Sequence, residues 1–436
     1  MRPKFLPIFL LLAFIAGEVY ATPNAQHVAG AMDRIVEFGF AEERIPTLFG
    51  ALSELPESNR AGAFTQLHGE MFAASPMNLI GMQQTFYRRL PSIRDRSRDT
   101  FYDEVFLGQS TLTEQSPKNV RISINFPFFT YKYSYGTDLN NSPDALSVPS
   151  VPSVAASNMH TRWTAFTGDW QDRRNVGSFS GYDLRNVGVI HAAENRSGNF
   201  FHGTALSYDN VYQKFDTIQS DCRIDIFRLA LYSGSRHGNF SSDSYIGYTR
   251  NWSKTRRHID FIDTPGAGGV ARSRFTNNMF GLGFESRQDM RFGWSRLTPS
   301  MGMHYTHLSR LRAVEHGAGE ANLSANARHF DSVRFPMGAK LSHDFWTGYF
   351  LWRPEVRAFY IREVADASVR TRTSFNEVRE VPFFADSGKW GRNCGRFGTG
   401  LTVQMMDRLS FQIDYDYEVY EWTSASEFGM TLGVMW

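Results

Sequence analysis

The last ten residues, Glu427-Phe428-Gly429-Met430-Thr431-Leu432-Gly433-Val434-Met435-Trp436, leave few folds open. Reading back from Trp436, every second residue is large and apolar: Trp436, Val434, Leu432, Met430 and Phe428. Four of those between them are Met435, Gly433, Thr431 and Gly429. A period of two is a β-strand. An apolar face of about ten residues, tilted near 45°, is the length a strand needs to cross a bilayer in a closed barrel.

Bulk hydropathy does not announce a membrane protein. Hydrophobic residues make up 42% of the 436, and the mean hydropathy is −0.36. Beyond the first 21 residues no run reaches the roughly 18 apolar residues of a spanning helix. A barrel escapes that test because lipid-facing and lumen-facing residues alternate and average out. An aromatic content of 15% and 36 glycines fit interfacial girdles and close strand packing, although a soluble β-sandwich has similar composition. The net charge of +2, from 46 basic and 44 acidic side chains, offers no global attraction to nucleic acid. The two cysteines, Cys222 and Cys394, lie too far apart for a local disulfide framework, and whether they pair is open.

Residues 1–21 read as a secretory signal: Arg2 and Lys4, an apolar run from Phe5 to Ala16, then Val19-Tyr20-Ala21 with cleavage expected after Ala21. From 22 to 95 the pattern turns helical. Ala29, Met32, Ile35 and Val36 recur at three and four, then Leu48, Leu52 and Leu55, then Ala63, Phe64, Leu67, Met71 and Phe72. Pro76 is expected to open a last helix that Pro91 stops. This segment is short of large aliphatic residues, so a helix here suits a narrow space without building much core.

A resemblance becomes specific at this point. Thr22-Pro23-Asn24-Ala25-Gln26-His27-Val28-Ala29-Gly30-Ala31-Met32-Asp33 resembles the linker that precedes the translocator of bacterial autotransporters. Ala51-Leu52-Ser53-Glu54-Leu55-Pro56 and the stretch from Ala63 to Ala74, with its Gly69-Glu70 pair, resemble the segment between that linker and the barrel. The resemblance implies that residues 76–90 form a helix lying in the barrel lumen. Some members of the family cut their passenger at an asparagine of that helix. Asn78 occupies a comparable place, but Asn78-Leu79 stands where the self-cleaving subgroup has paired asparagines.

Residues 96–160 are irregular. Val120 to Phe126 alternates like a strand, aromatics crowd Phe126 to Tyr135, and Asp138 to Ser157 has the Ser- and Pro-rich composition of a linker. A small lumen or periplasmic insertion is the expectation.

From 161 to 436 we count twelve strands, at 162–170, 180–194, 198–214, 221–234, 240–256, 273–288, 294–309, 331–344, 351–363, 395–406, 409–421 and 425–436. An even number suits a closed single-chain barrel. Links after the even strands are short, whereas Ser253 to Arg272, Arg310 to Phe330 and Val364 to Asn393 are long, the asymmetry that separates periplasmic turns from extracellular loops. In the eleventh strand Leu409, Phe411, Ile413, Tyr415, Tyr417 and Val419 share one face, and Asp414, Asp416 and Glu418 the other, assigned to a wet lumen. Parity also puts Arg353, Glu355 and Arg357 in the lumen, able to pair with a plug. In the tenth strand Gly400 is on the lumen side, leaving room for a helix.

Trp252-Ser253-Lys254-Thr255-Arg256-Arg257, Leu297 to Tyr305 with Glu315-His316-Gly317-Ala318 beyond, and Leu351 to Tyr360 are similar to the fifth, seventh and ninth strands of the autotransporter barrel. The fold expected is all-β: a twelve-stranded antiparallel transmembrane β-barrel with an N-terminal helical segment. The resemblance implies outer-membrane localisation and a translocator function. Its implied partners are outer-membrane lipid, periplasmic chaperones and the barrel-assembly machinery, which would read Phe428, Met430, Leu432, Val434 and Trp436 as its signal. No elbow, His-Glu-x-x-His, Cys-x-x-Cys or phosphate loop is present, so no catalytic, cofactor-binding or metal residue is assigned and no enzyme is expected. Signal cleavage would leave the linker motif at the mature N-terminus, without a sizeable passenger. Three functions remain open: a barrel acting as surface adhesin or receptor through its loops, with the Ser253 to Arg272 loop and its Lys254, Arg256 and Arg257 as one contact for an unidentified ligand; a porin-like channel; or a split system with its passenger encoded elsewhere.

Overall fold

The computed structural model describes residues 23–97, 120–125, 130–135, 159–175, 179–216, 218–260, 268–347, 350–366, 368–389, 391–405 and 409–435. The signal segment, most of the middle segment and Trp436 lie outside them. Of the middle segment, Val120–Asn125 and Thr130–Tyr135 pair as an antiparallel hairpin.

Twelve long strands close into an antiparallel barrel: β1 (Met159–Arg173), β2 (Tyr182–Ser197), β3 (Phe200–Phe215), β4 (Ser220–His237), β5 (Phe240–Ile259), β6 (Gly269–Gln288), β7 (Ser295–Arg310), β8 (Arg328–His343), β9 (Phe350–Glu363), β10 (Asn393–Met405), β11 (Leu409–Val419) and β12 (Thr423–Met435). Closure comes from β12 on β1, in register from Thr423 opposite Arg173 to Met435 opposite Thr161. No barrel strand is left with an unpaired edge, the condition lipid imposes on a backbone that cannot reach water. Alternation is inverted relative to a soluble sheet. Outward residues such as Leu206, Leu229, Ile246, Phe280, Met301, Leu341, Val356 and Ile413 are apolar and exposed. Inward ones such as Asn186, Asp209, Arg228, Thr249 and Asn277 are polar and buried.

One end of the barrel has tight turns. The β4–β5 turn places Gly238 at φ 58°, a left-handed geometry glycine takes without a Cβ penalty. The other end carries the long connections, and these are folded. Between β7 and β8 lie short strands Ala313–His316 and Leu323–Ala325; between β9 and β10, Ser368–Phe375 pairs with Phe383–Lys389. The expected long loop from Ser253 to Arg272 is shorter, because β5 continues to Ile259 and β6 begins at Gly269.

Among the described residues five helices precede the barrel: α1 (Pro23–Glu37), α2 (Phe40–Glu43), α3 (Pro46–Glu54), α4 (Glu57–Leu67) and α5 (Met71–Ser97). They divide into two parts. The first four cap the loop end of the barrel, where Val28, Met32, Ile35, Leu48, Leu52, Phe64 and Leu67 are buried in a cluster with Phe215, Phe275, Leu323, Phe375 and Phe383. This corrects the expectation of a segment with little core, since its small residues bring the backbone close enough for the loops to supply the bulk. Of these five helices, only α5 enters the lumen. It begins before Pro76 and continues beyond Pro91, so neither proline bounds it. Pro76 has no N–H for the carbonyl of Phe72, and that carbonyl instead accepts hydrogen bonds from Arg310 Nη1 at 2.9 Å and Thr371 Oγ1 at 3.4 Å.

Candidate functional site: the occupied lumen

α5 can be traced down the barrel by its partners. Near the loop end Ser75 Oγ donates to Gln213 Oε1 at 3.0 Å, and the Tyr182 hydroxyl donates to Asn78 Oδ1 at 2.7 Å. Asn78 is thus a buried residue held by the wall. One turn further, Gln83 Oε1 accepts from Thr249 at 2.6 Å and from Arg228 Nε at 3.2 Å, and Gln84 Nε2 donates to Ser332 at 3.0 Å. Arg228 also pairs with Asp209 inside the wall.

At mid-barrel the wall is cut back to receive an aromatic ring. Ala230, Gly247 and Gly281 are register neighbours on β4, β5 and β6. A Cβ at either glycine would overlap Tyr87. The Tyr87 ring stacks on Tyr245, centroids 3.9 Å apart and planes at 16°, and Tyr245 is hydrogen bonded to His304 Nδ1 at 2.7 Å.

Beyond this ring along α5 the contacts become ionic. Arg88 is paired with Glu418 and Glu427, and Arg89 with Asp414 at 3.2 Å and Glu427 at 2.5 Å. Arg357 Nε and Nη2 reach the two oxygens of Asp416 at 2.7 and 2.9 Å, and its Nη1 donates to Glu355 at 2.5 Å. Five of the six lumen residues assigned from parity, Asp414, Asp416, Glu418, Glu355 and Arg357, therefore meet α5 or each other. Arg353 also points inward but pairs with Asp344 at the turn end. Gly400 faces Glu355, not the helix; the glycines that receive α5 are Gly247, Gly281 and, against Arg89, Gly429. A cavity of about 80 Å³ remains among Arg88, Arg89, Arg287, Arg357, Arg396 and Asp414.

Arg88, Arg89 and Glu427 are the site residues that sequence reading missed. A signal for them existed: an Arg-Arg pair in a stretch, Met71 to Leu90, that carries no other charge, and an inward Glu427 opposite Asp416 in register.

The loop-end mouth is held by a second buried set. Arg257 pairs through Nη2 with Glu315 at 2.5 Å and donates to the carbonyls of Gln66 at 2.6 Å and Ala321 at 2.9 Å. Arg257 is thus fully buried structure and not a surface-binding cation, because its odd parity turns it inward. Its even-numbered neighbours Lys254 and Arg256 face out. Asn24 exchanges two hydrogen bonds with the backbone of Asp386, at 3.1 and 2.8 Å. Glu320 receives the N–H of Leu48 at 2.7 Å, an anion at the start of α3. Glu70 accepts from Ser180 N at 3.1 Å, and its own N–H donates to His68 Nδ1 at 3.0 Å. Burial pushes the Glu70 carboxyl up to about 8 and pulls His68 down to about 3. Cys222 and Cys394 are buried and free.

Outward on β12, Phe428, Met430, Leu432 and Val434 are exposed and form part of the apolar band.

The chain matches the model of the autotransporter β-domain over residues 162–416. It is 22% identical over 261 residues to outer membrane protein B of Rickettsia prowazekii, covering 57% of this chain and 15% of that protein. It is 21% identical over 252 residues to the same protein of Rickettsia japonica, covering 56% and 15%. The chain thus spans about 15% of the length of the curated relatives it matches. Among solved structures it is similar in fold to the translocator domain of the autotransporter NalP from Neisseria meningitidis, with a TM-score of 0.51 and 13% identity over 64% of this chain and 88% of that one.

Proposed function

This chain belongs to the autotransporter β-domain family, an outer-membrane translocator barrel, and on that premise we propose that it holds its own helical cap at the cell surface as a recognition module, behind a lumen closed by α5. The observation that carries this reading is the direction of α5. Its start is bound at the loop end by Arg310 and Gln213, and further along Tyr87 packs on Gly247 and Gly281, in the turn-ward halves of β5 and β6. Long connections face outside in such barrels and short turns face the periplasm, so α1–α4 stand on the extracellular side. Cap and loops together offer an adhesin- or receptor-like surface. The filled lumen supports this over a porin-like channel.

Membrane-impermeant thiol labelling of intact cells tests the reading. Ser58 is exposed on α4, and the two native cysteines are buried. A Ser58→Cys chain should label without permeabilisation, with little background from the parent chain. Labelling only after the outer membrane is opened would place the cap on the periplasmic side and overturn the reading. Binding of intact cells to host-cell surfaces, blocked by antibody to residues 23–67, would then test recognition itself.

A further inference from the structure

We propose that the outer face of β4, β5 and β6, just above the apolar band, binds the phosphorylated headgroup of an outer-leaflet glycolipid. The observation is a lattice of cations on lipid-facing positions. Along β5 the outward residues include Phe240, Ile246, Tyr248 and Trp252, with Arg250 lying over the Trp252 ring at 5.8 Å, then Lys254 and Arg256. From Phe240 to Trp252 the strand rises roughly 30 Å, taking about 3.3 Å per residue and a tilt near 40°. Trp252 therefore sits at the outer interface, where amphipathic rings collect, and Lys254 and Arg256 lie in the headgroup layer directly beyond it.

Register turns this column into a patch. Arg223, Lys254 and Arg274 are consecutive cross-strand neighbours on β4, β5 and β6. In the next row outward Asp221, Arg256 and Arg272 are neighbours, and His316 stands beside Arg272. Together with Arg312 these side chains line an open recess of about 710 Å³. Like charges directly opposite across a sheet repel, and the described residues answer six Arg and Lys groups here with two carboxylates. Asp221 receives Arg256 at 3.0 Å and Asp225 lies 3.8 Å from Lys254. Arg223 also lies over the Tyr212 ring at 5.7 Å, fixing it at the edge of the aromatic layer.

Several phosphate oxygens supply what the patch lacks. Arginine matches them in forked pairs and lysine as a point charge. A soluble anion would meet these residues equally well from above, but it would gain nothing from their parity, which is that of the lipid face. A lipid carries its phosphate to this height with its acyl chains against Tyr248 and Ile246 below. The occupant that uses both features is a membrane lipid with more than one phosphate.

Native mass spectrometry of the full chain, refolded with diphosphoryl lipid A in mild detergent, tests this. The wild-type chain should retain the lipid and should not retain its dephosphorylated form. The R223Q/K254Q/R274Q chain should retain about tenfold less or lower, each cation near such a surface contributing severalfold. Inorganic phosphate in large excess should not displace the bound lipid. Equal retention of dephosphorylated lipid A, undiminished retention by the triple variant, or displacement by free phosphate would each overturn the proposal. The comparison of the two lipids needs no variant, so it decides the matter even if the substituted chain fails to refold.

Discussion

Two adjacent arginines, Arg88 and Arg89, join α5 to three carboxylates on β11 and β12. The Arg89 pairs are buried and the Arg88 pairs largely so, and removing one partner from a buried ion pair costs about 3–5 kcal/mol because the other charge stays out of water. An Arg88→Gln, Arg89→Gln chain should therefore keep its barrel, seen as the usual heat-dependent gel shift, while α5 leaves the lumen for part of the time. Planar bilayers should then record steady conductance where the parent chain is expected to record none. A double variant as silent as the parent would mean that these pairs do not hold the helix. Gly247 makes a separate test by shape alone. A methyl there meets the Tyr87 hydroxyl first, so Gly247→Ala should destabilise docking by about 1–3 kcal/mol through overpacking. Adding Tyr87→Phe should recover part of that, measured as the midpoint of α5 release in denaturant.

At the scale of elements, the corner between α4 and α5 makes cap docking pH-dependent. The Glu70 carboxyl, raised by burial from 4.5 to about 8, faces His68 on its own segment, Arg173 from β1 and Asp386 from the loop hairpin. His68, drawn down from 6.5 to about 3, faces Arg257 of β5 and His27 of α1. A docked cap thus keeps a proton on Glu70 that the undocked segment has lost. Docking is strongest on this account below 4.5 and weakens as pH rises through 8. His68 acts in the opposite sense, but only below 6.5, and Asp33, raised to about 6, is finished by then. Between pH 6.5 and 8 Glu70 is left to set the slope, and opening should increase by up to about tenfold per pH unit. Hydrogen exchange of residues 23–67, corrected for intrinsic rates, would read this, and Glu70→Gln should flatten it. A slope that persists in that variant would assign the proton elsewhere. These elements were not equally legible. Barrel strands declare themselves because lipid outside and water inside force period two over ten or more residues. The cap does not, because Ala- and Gly-rich helices take their core from loops some 300 positions away, as Asn24 does from Asp386. Arg257 misled for a related reason: an inward cation beyond the lipid band looks like loop until Glu315 is brought to it.

For the whole molecule, β12 carries three loads at once. Its outward Phe428, Met430, Leu432 and Val434 face lipid, its backbone closes the barrel on β1, and its inward Glu427 and Gly429 receive Arg88 and Arg89. Lipid contact and closure are needed for a chain to enter the membrane at all, whereas the helix contacts matter only once the barrel exists. Changes on the two faces of one strand should therefore fail at different stages. We expect deletion of Trp436, which in the sequence continues the apolar alternation of β12, to lower the amount of barrel in the outer membrane while the molecules that do insert conduct no more than the parent. Gly429→Leu leaves the outward face intact and intrudes on the Arg89 guanidinium, so it should insert at near-normal levels and leak ions. Quantitative surface labelling and bilayer conductance on the same two chains separate these outcomes. Normal surface levels of the Trp436 deletion would remove that residue from assembly, and loss of Gly429→Leu at the insertion stage would show that α5 must dock before β12 can close on β1.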